Sequence, residues 1–161
     1  DRTALVVGNT CQAFRAVAEL QRIAYHVTLV APTHGDLDLE VARNLDAKHN
    51  VTFYDGYEVV EFTGDQYVNA VTLRKDGETM EIRTDCVFIE MDLKPNSRLY
   101  KGLVDMDDKG FIHVDVVNRT SYPGLYAAGE VTTAFSDQVL ISMGEGAKAI
   151  LAIYDDLLGI C

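Results

Sequence analysis

The chain has 161 residues, 48% hydrophobic and 24% charged, with a net charge of −11 at pH 7. That length buries a substantial core without metal or disulfide staples, and the acidic balance argues against nucleic acid or an anionic membrane surface as a partner. No apolar run reaches membrane-spanning length and no leader pattern opens the sequence, so a cytoplasmic setting is the expectation.

In chain order, Ala4–Val7 is a short apolar run ending at Gly8, followed by a helical pattern with Ala13, Val17, Leu20 and Ala24 on one face and a second apolar strand, Val27–Val30. Strand, glycine, helix, strand is a βαβ unit, which requires a right-handed crossover and a parallel sheet. Its turn reads Gly8-Asn-Thr-Cys-Gln-Ala13. Against the dinucleotide pattern G-x-G-x-x-G/A the first glycine and the final alanine are present, but Thr10 replaces the middle glycine. Gly8, Thr10 and Ala13 are therefore candidate nucleotide-binding residues of an altered site. The threonine side chain fills space where a pyrophosphate would lie against bare backbone, while its hydroxyl offers a cap for the helix amides.

Residues 36–49 carry a helical pattern with Leu37, Val41 and Leu45 on one face and Asp36 as the expected N-cap. Val51–Tyr54 and Tyr57–Phe62 are strand-like, and Tyr67–Lys75 and Glu78–Arg83 flank Asp76-Gly77, a type I′ hairpin signal. The carboxylates Glu58, Glu61, Asp65, Glu78 and Glu81 are spaced as solvated positions. Asp85–Asn96 crosses between two modules, 1–92 and 93–161, with Cys86 packing in a buried strand. Beyond it, Asp108-Lys-Gly110 is a turn feeding a short alternating strand, Phe111–Val114. Cys11, Cys86 and Cys161 make no CxxC pair, and His26, His34, His49 and His113 no cluster. No metal site and no catalytic dithiol are expected in this chain, and Cys161 is expected to be exposed.

Leu125–Ala128 reads as a fully buried strand that stops at Gly129 and leaves Glu130 at its carboxyl end, the edge at which open α/β sheets bind ligands. Gln138-Val139 follows, and Gly144-Glu-Gly-Ala147 opens a helix formed by Ala147, Ile150, Leu151, Tyr154 and Leu158. Together with Thr120-Ser-Tyr-Pro-Gly124, this stretch resembles the second flavin-binding signature of the low-molecular-weight thioredoxin reductases and their relatives, including the flavoprotein subunit of alkyl hydroperoxide reductase. The resemblance implies an α/β fold: a Rossmann-like βαβ pyridine-nucleotide domain with a β-meander (1–92), then the carboxyl-terminal portion of an FAD-binding α/β domain (93–161). It implies FAD as cofactor, with Gly129 at close approach and Glu130, where the family usually has Asp, holding the ribityl chain. The amides of Gln138 and Val139 would face the N1/O2 edge of the flavin.

Against that family, three departures fall on the nicotinamide side. Thr10 is the first. The second is Ala31-Pro-Thr-His-Gly-Asp36, which lacks the basic cluster that grips the 2′-phosphate of NADPH and carries Asp36, with Asp38 beyond it. The third is Glu90 and Asp92, where a small residue and a glycine are expected before Pro95-Asn96. NADPH in the usual manner is therefore disfavoured, and NADH requires Thr10 to be tolerated. The family's amino-terminal glycine-rich βαβ unit and its CxxC are not in this sequence. The chain thus reads as the carboxyl-terminal part of a longer protein, a cleaved piece, or one chain of a split enzyme. Its implied partners are an amino-terminal FAD-binding half, a thioredoxin-like disulfide protein and a second copy in a homodimer. The implied reaction is electron transfer through flavin to a protein disulfide. The alternatives are a flavoprotein fed by another donor such as ferredoxin, and a non-catalytic FAD-binding or assembly module.

Overall fold

In the computed structural model, which describes residues 2–134 and 138–159, the chain falls into two units, Asp1–Asp92 and Leu93–Cys161. The first runs β1 (Thr3–Val7), α1 (Cys11–Leu20), β2 (His26–Ala31), α2 (Glu40–Asp46), β3 (Val51–Asp55), β4 (Glu58–Gly64), β5 (Val68–Lys75), β6 (Glu78–Arg83) and β7 (Cys86–Ile89). A parallel sheet has the order β3-β2-β1-β7, and β4-β5-β6 form an antiparallel meander.

Strand β1 explains the layering. Its side chains alternate between the two faces of the sheet, and both faces are covered, so it reads as an unbroken apolar run. Val6 packs with Ala13, Phe14 and Val17 of α1 and with Leu45 of α2, while Leu5 and Val7 pack with Val71 and Leu73 of β5. The helices therefore cover one face and the meander the other. The Asp76-Gly77 turn has φ of 52° and 85°, the left-handed geometry expected of it, and pairs Lys75 with Glu78. Cys86 is half-buried, and burial pushes its thiol up from the ordinary value. Cys161 lies outside the described residues.

The second helix is shorter than its pattern. Leu37 and Leu39 donate their N–H groups to His34 and Asp36 in tight turns, and Leu39, with extended backbone, is the N-cap of α2. Asp36 does not cap it: the residue lies in these turns three positions before the N-cap, with its own N–H donated to the carbonyl of Asn9 at 2.9 Å.

In the second unit the expected strands at 111–114 and 125–128 are isolated bridges, Ile112 with Met106 and Thr132, and Tyr126 with Arg119. A strand needs a neighbouring backbone along its length, and the described residues provide one only at these points. Leu125–Ala128 are accordingly half-buried. The last helix, α3 (Val139–Leu158), begins well before Gly144, so Gly144 and Gly146 lie inside it, and a Cβ at either meets nothing within 4 Å. Its buried residues are Ala149 and Ala152, whereas Leu140, Ile150, Leu151, Tyr154 and Leu158 are exposed. Its large apolar residues thus lie mostly on the exposed side, and it ends on Gly159 in the left-handed conformation. Among the described residues no helix is long and apolar enough to cross a membrane.

Candidate functional site

Gly8 closes β1 by donating its N–H to Val30, beside the point where Glu90 donates to Val7. A Cβ on Gly8 would lie 2.8 Å from that of Ala13 and closer still to the carbonyl of Glu90. Ala13 is fully buried. The first and last fingerprint positions thus allow β1, β7 and α1 to approach closely. Thr10 is the N-cap of α1 with extended backbone, φ −119° and ψ 172°, but its hydroxyl makes no capping bond, contrary to the sequence expectation. The start of α1 is therefore not closed by the threonine's own side chain.

The next loop is tied to this turn. Asn9 donates from Nδ2 to Thr33 Oγ1 at 2.7 Å and to the Thr33 carbonyl at 3.2 Å. Gly35, with φ of 51°, lies so close that a Cβ would come within 2.6 Å of the Asn9 carbonyl. Between Thr33 and Gly35, His34 reaches Asp55 Oδ2 through Nδ1 at 2.6 Å and Asp38 Oδ2 through Nε2 at 3.3 Å. Hydrogen bonding to Asp55, then to Asp38, holds the imidazole above its ordinary value of 6.5. The clasp made by the imidazolium is therefore complete below 6.5 and is lost as pH rises through the raised value. Asp55 carried no signal in the sequence; it enters this group because it ends β3, next to β2.

In the second unit, Gly129 is buried with φ of 80°, and a Cβ there would meet Ser142 Oγ at 3.1 Å. Ser142 is in the first turn of α3, whose N-cap is Gln138, with no side-chain cap, and whose first residue is Val139. This packing sets Glu130, itself exposed, beside the start of α3. Thr132 braces the turn by donating both its N–H and its hydroxyl to the Gly129 carbonyl, at 2.9 and 2.7 Å. Glu130 and Val131 face Leu93, Lys94, Pro95 and Asn96 across a cavity of about 220 Å³. Sites that enclose a small ligand run from roughly 300 to 1,000 Å³, so these segments wall a cavity smaller than such a site. An exposed carboxylate, a glycine that excludes a side chain, and apolar Leu93, Pro95 and Val131 suit the polyol and ring-edge portions of a flavin.

Two anchors hold this wall to α3, and neither was foreseen from sequence. Asn118, fully buried with φ of 70°, donates to the Ala127 carbonyl at 2.9 Å and to Glu145 Oε2, and Glu145 pairs with Lys148 at 3.0 Å. Arg119 makes a forked pair with Asp156, at 2.9 and 2.6 Å, and Tyr126 also donates its hydroxyl to Asp156. The Arg119 pair, then the Tyr126 bond, holds Asp156 at about 2, below its ordinary 3.8. Its contribution to stability is present above 3.8 and lost as pH falls toward 2. Asp156→Asn is expected to lower the melting temperature at pH 6 and to flatten its decline between pH 4 and 2. Equal acid profiles for the two proteins would contradict the clasp.

The family model described as pyridine nucleotide-disulphide oxidoreductase matches residues 1–150. The chain is 36% identical over 157 residues to an NADH dehydrogenase of Bacillus subtilis (strain 168), covering 95% of this chain and 31% of that protein. It is 34% identical over 157 residues to an alkyl hydroperoxide reductase subunit of Xanthomonas campestris pv. phaseoli, covering 95% of this chain and 30% of that one. The solved thioredoxin reductase of Streptococcus pyogenes MGAS5005 superposes with a TM-score of 0.81 at 28% identity, over 99% of this chain and 53% of that structure. The chain thus spans about a third of the length of the curated relatives it matches.

Proposed function

Because the chain belongs to the pyridine nucleotide-disulphide oxidoreductase family, we propose that it forms the nucleotide-side unit and the carboxyl-terminal flavin-side unit of an FAD-dependent oxidoreductase that passes electrons to a protein disulfide. The observation that carries this reading is the packing of Gly129 on Ser142, which sets Glu130 at the start of α3 and on the wall of the cavity behind Leu93–Asn96. FAD supplies the two-electron carrier when bound. Glu130 accepts hydrogen bonds from its ribityl hydroxyls, and Gly129 keeps side-chain bulk out of the approach. The amides of the Gln138–Val139 helix start favour negative charge on the ring edge, and Leu93, Pro95 and Val131 exclude water.

The remaining wall, the cover for the exposed apolar face of α3 and the redox dithiol come, in this reading, from an amino-terminal half in the same protein or a separate chain. The reading takes the assembled protein as a cytoplasmic homodimer acting on a thioredoxin-like partner. It is tested by adding FAD to the intact protein and recording flavin absorbance and melting temperature. Retained yellow colour with a raised melting temperature supports it; the absence of both overturns it.

A second reading concerns the donor. Thr10 in the fingerprint and the acidic His34 loop favour reduction by something other than NADPH, with Thr10 at the mouth of an altered nucleotide crevice and the buried Gly8 and Ala13 packed beneath it. Stopped-flow reduction of the flavin by NADPH, NADH and ferredoxin decides it. Rapid bleaching by NADPH would remove this reading and leave the flavin assignment intact.

A further inference from the structure

Residues 93–104 stand apart in an acidic chain. They carry Lys94, Arg98 and Lys101 and no carboxylate, whereas the whole sequence has 25 Asp and Glu against 14 Lys and Arg. The segment is shaped by its own turn. The hydroxyl of buried Ser97 donates to the Gly110 carbonyl at 2.5 Å, and Tyr100 donates its N–H to Ser97 at 2.8 Å over the short 3₁₀ turn Arg98–Tyr100. Lys101 then bridges Val104, which is also buried. With Ser97 and Val104 inside, Arg98, Leu99, Lys101 and Leu103 are left at the surface, and Leu99 is 86% exposed.

Among the described residues none of the three cations is in an ion pair. Asp92 precedes the segment, and Asp105, Asp107 and Asp108 follow it. Of these, Asp107 is turned to its own loop, where its Oδ1 accepts the amides of Lys109 and Phe111 at 3.0 and 2.8 Å. Lys94, at the other end, lines the cavity whose facing wall carries Glu130. An exposed leucine between unpaired cations has the make-up of a small contact patch, with an apolar anchor for contact and charges for steering.

We propose that Arg98, Leu99 and Lys101, with Lys94 at the inner edge, form a docking surface for an acidic one-electron carrier protein. The proposal rests on the reading of a donor other than NADPH, and it names the face that donor uses. Charge complementarity selects the occupant: in a chain of net charge −11, a partner with a confined acidic patch is attracted here and repelled elsewhere. The small size of the patch suits a carrier that must also leave. Lys94 continues the patch to the proposed flavin wall, so a carrier seated here delivers its electron beside it. Each carrier gives up one electron and departs oxidised. Two dockings supply the pair that a disulfide takes up, with two protons from solvent, to become two thiols.

The test is stopped-flow reduction of the intact, flavin-loaded protein by a reduced acidic ferredoxin at increasing concentration, in about 0.01 M and about 1 M salt. Wild type is compared with Arg98→Glu/Lys101→Glu and with Arg22→Glu/Lys48→Glu, a control that reverses two exposed cations of the first unit and changes the net charge equally. At low salt the second-order rate constant is expected to fall roughly 10-fold or more in the first variant and within about threefold in the control, and the gap is expected to close at high salt. Equal rates in all three proteins, or equal slowing in both variants, overturn the proposal and leave the donor reading in place. Absence of reduction by ferredoxin also overturns it, and rapid bleaching by NADPH would in addition remove the donor reading. Should the double reversal fail to fold, Lys101→Gln is expected to slow the low-salt reaction roughly threefold, and an unchanged rate there overturns the proposal.

Discussion

Glu130→Ala is expected to weaken FAD retention by the intact protein roughly 10- to 150-fold, because hydrogen bonds to a charged acceptor contribute about 1.5–3 kcal/mol. Fluorescence of flavin released on dilution measures this directly. The side chain is exposed, so the flavin-free variant should melt within about 0.5 kcal/mol of the wild type. Glu130→Asp keeps the acceptor but shortens its reach by a methylene, and it should retain most of the affinity. If alanine held FAD as tightly as glutamate, the wall facing Leu93–Asn96 would not be a flavin site in the manner proposed.

Gly8→Ala is expected to carry the largest cost to stability, about 1–3 kcal/mol and more for Gly8→Val. The new methyl group would enter space already held by the Glu90 carbonyl and the Ala13 side chain. Neither neighbour yields easily: one is backbone paired to Val7, and the other is fully buried. Urea unfolding of the intact protein measures the loss. Because β1 and β7 are adjacent parallel strands, the damage should fall on the parallel sheet and leave flavin retention largely unchanged. Unaltered unfolding would show that this turn relaxes more freely than its packing implies.

Some features of this protein follow from short-range chemistry alone. The βαβ start and the Asp76-Gly77 hairpin are written in spacing and in residues suited to positive φ, and both are present in the structure. The family resemblance was carried by Thr120–Val131, Gln138-Val139 and Gly144–Ala147, and of these Gly129 is at close approach in the structure. The elements misjudged are those for which a distant contact competes with local pattern. Asp36 is held to Asn9 in the turns that precede α2, which starts later than its pattern, and the apolar run at 125–128 lacks the neighbours that would make it a strand.

The apolar runs, the alternation within strands and the turn glycines thus determined the fold class by themselves, because each is a constraint on single residues or near neighbours, while the family came from the resemblance of the 120–147 motifs. Only the tertiary structure could bring Asp55 to His34, Ser142 to Gly129 and Asp156 to Arg119. Those pairs join residues 13 to 37 positions apart. Hydrogen bonds and steric contacts act over a few ångströms, and which distant residues come within that range is decided by how the elements pack.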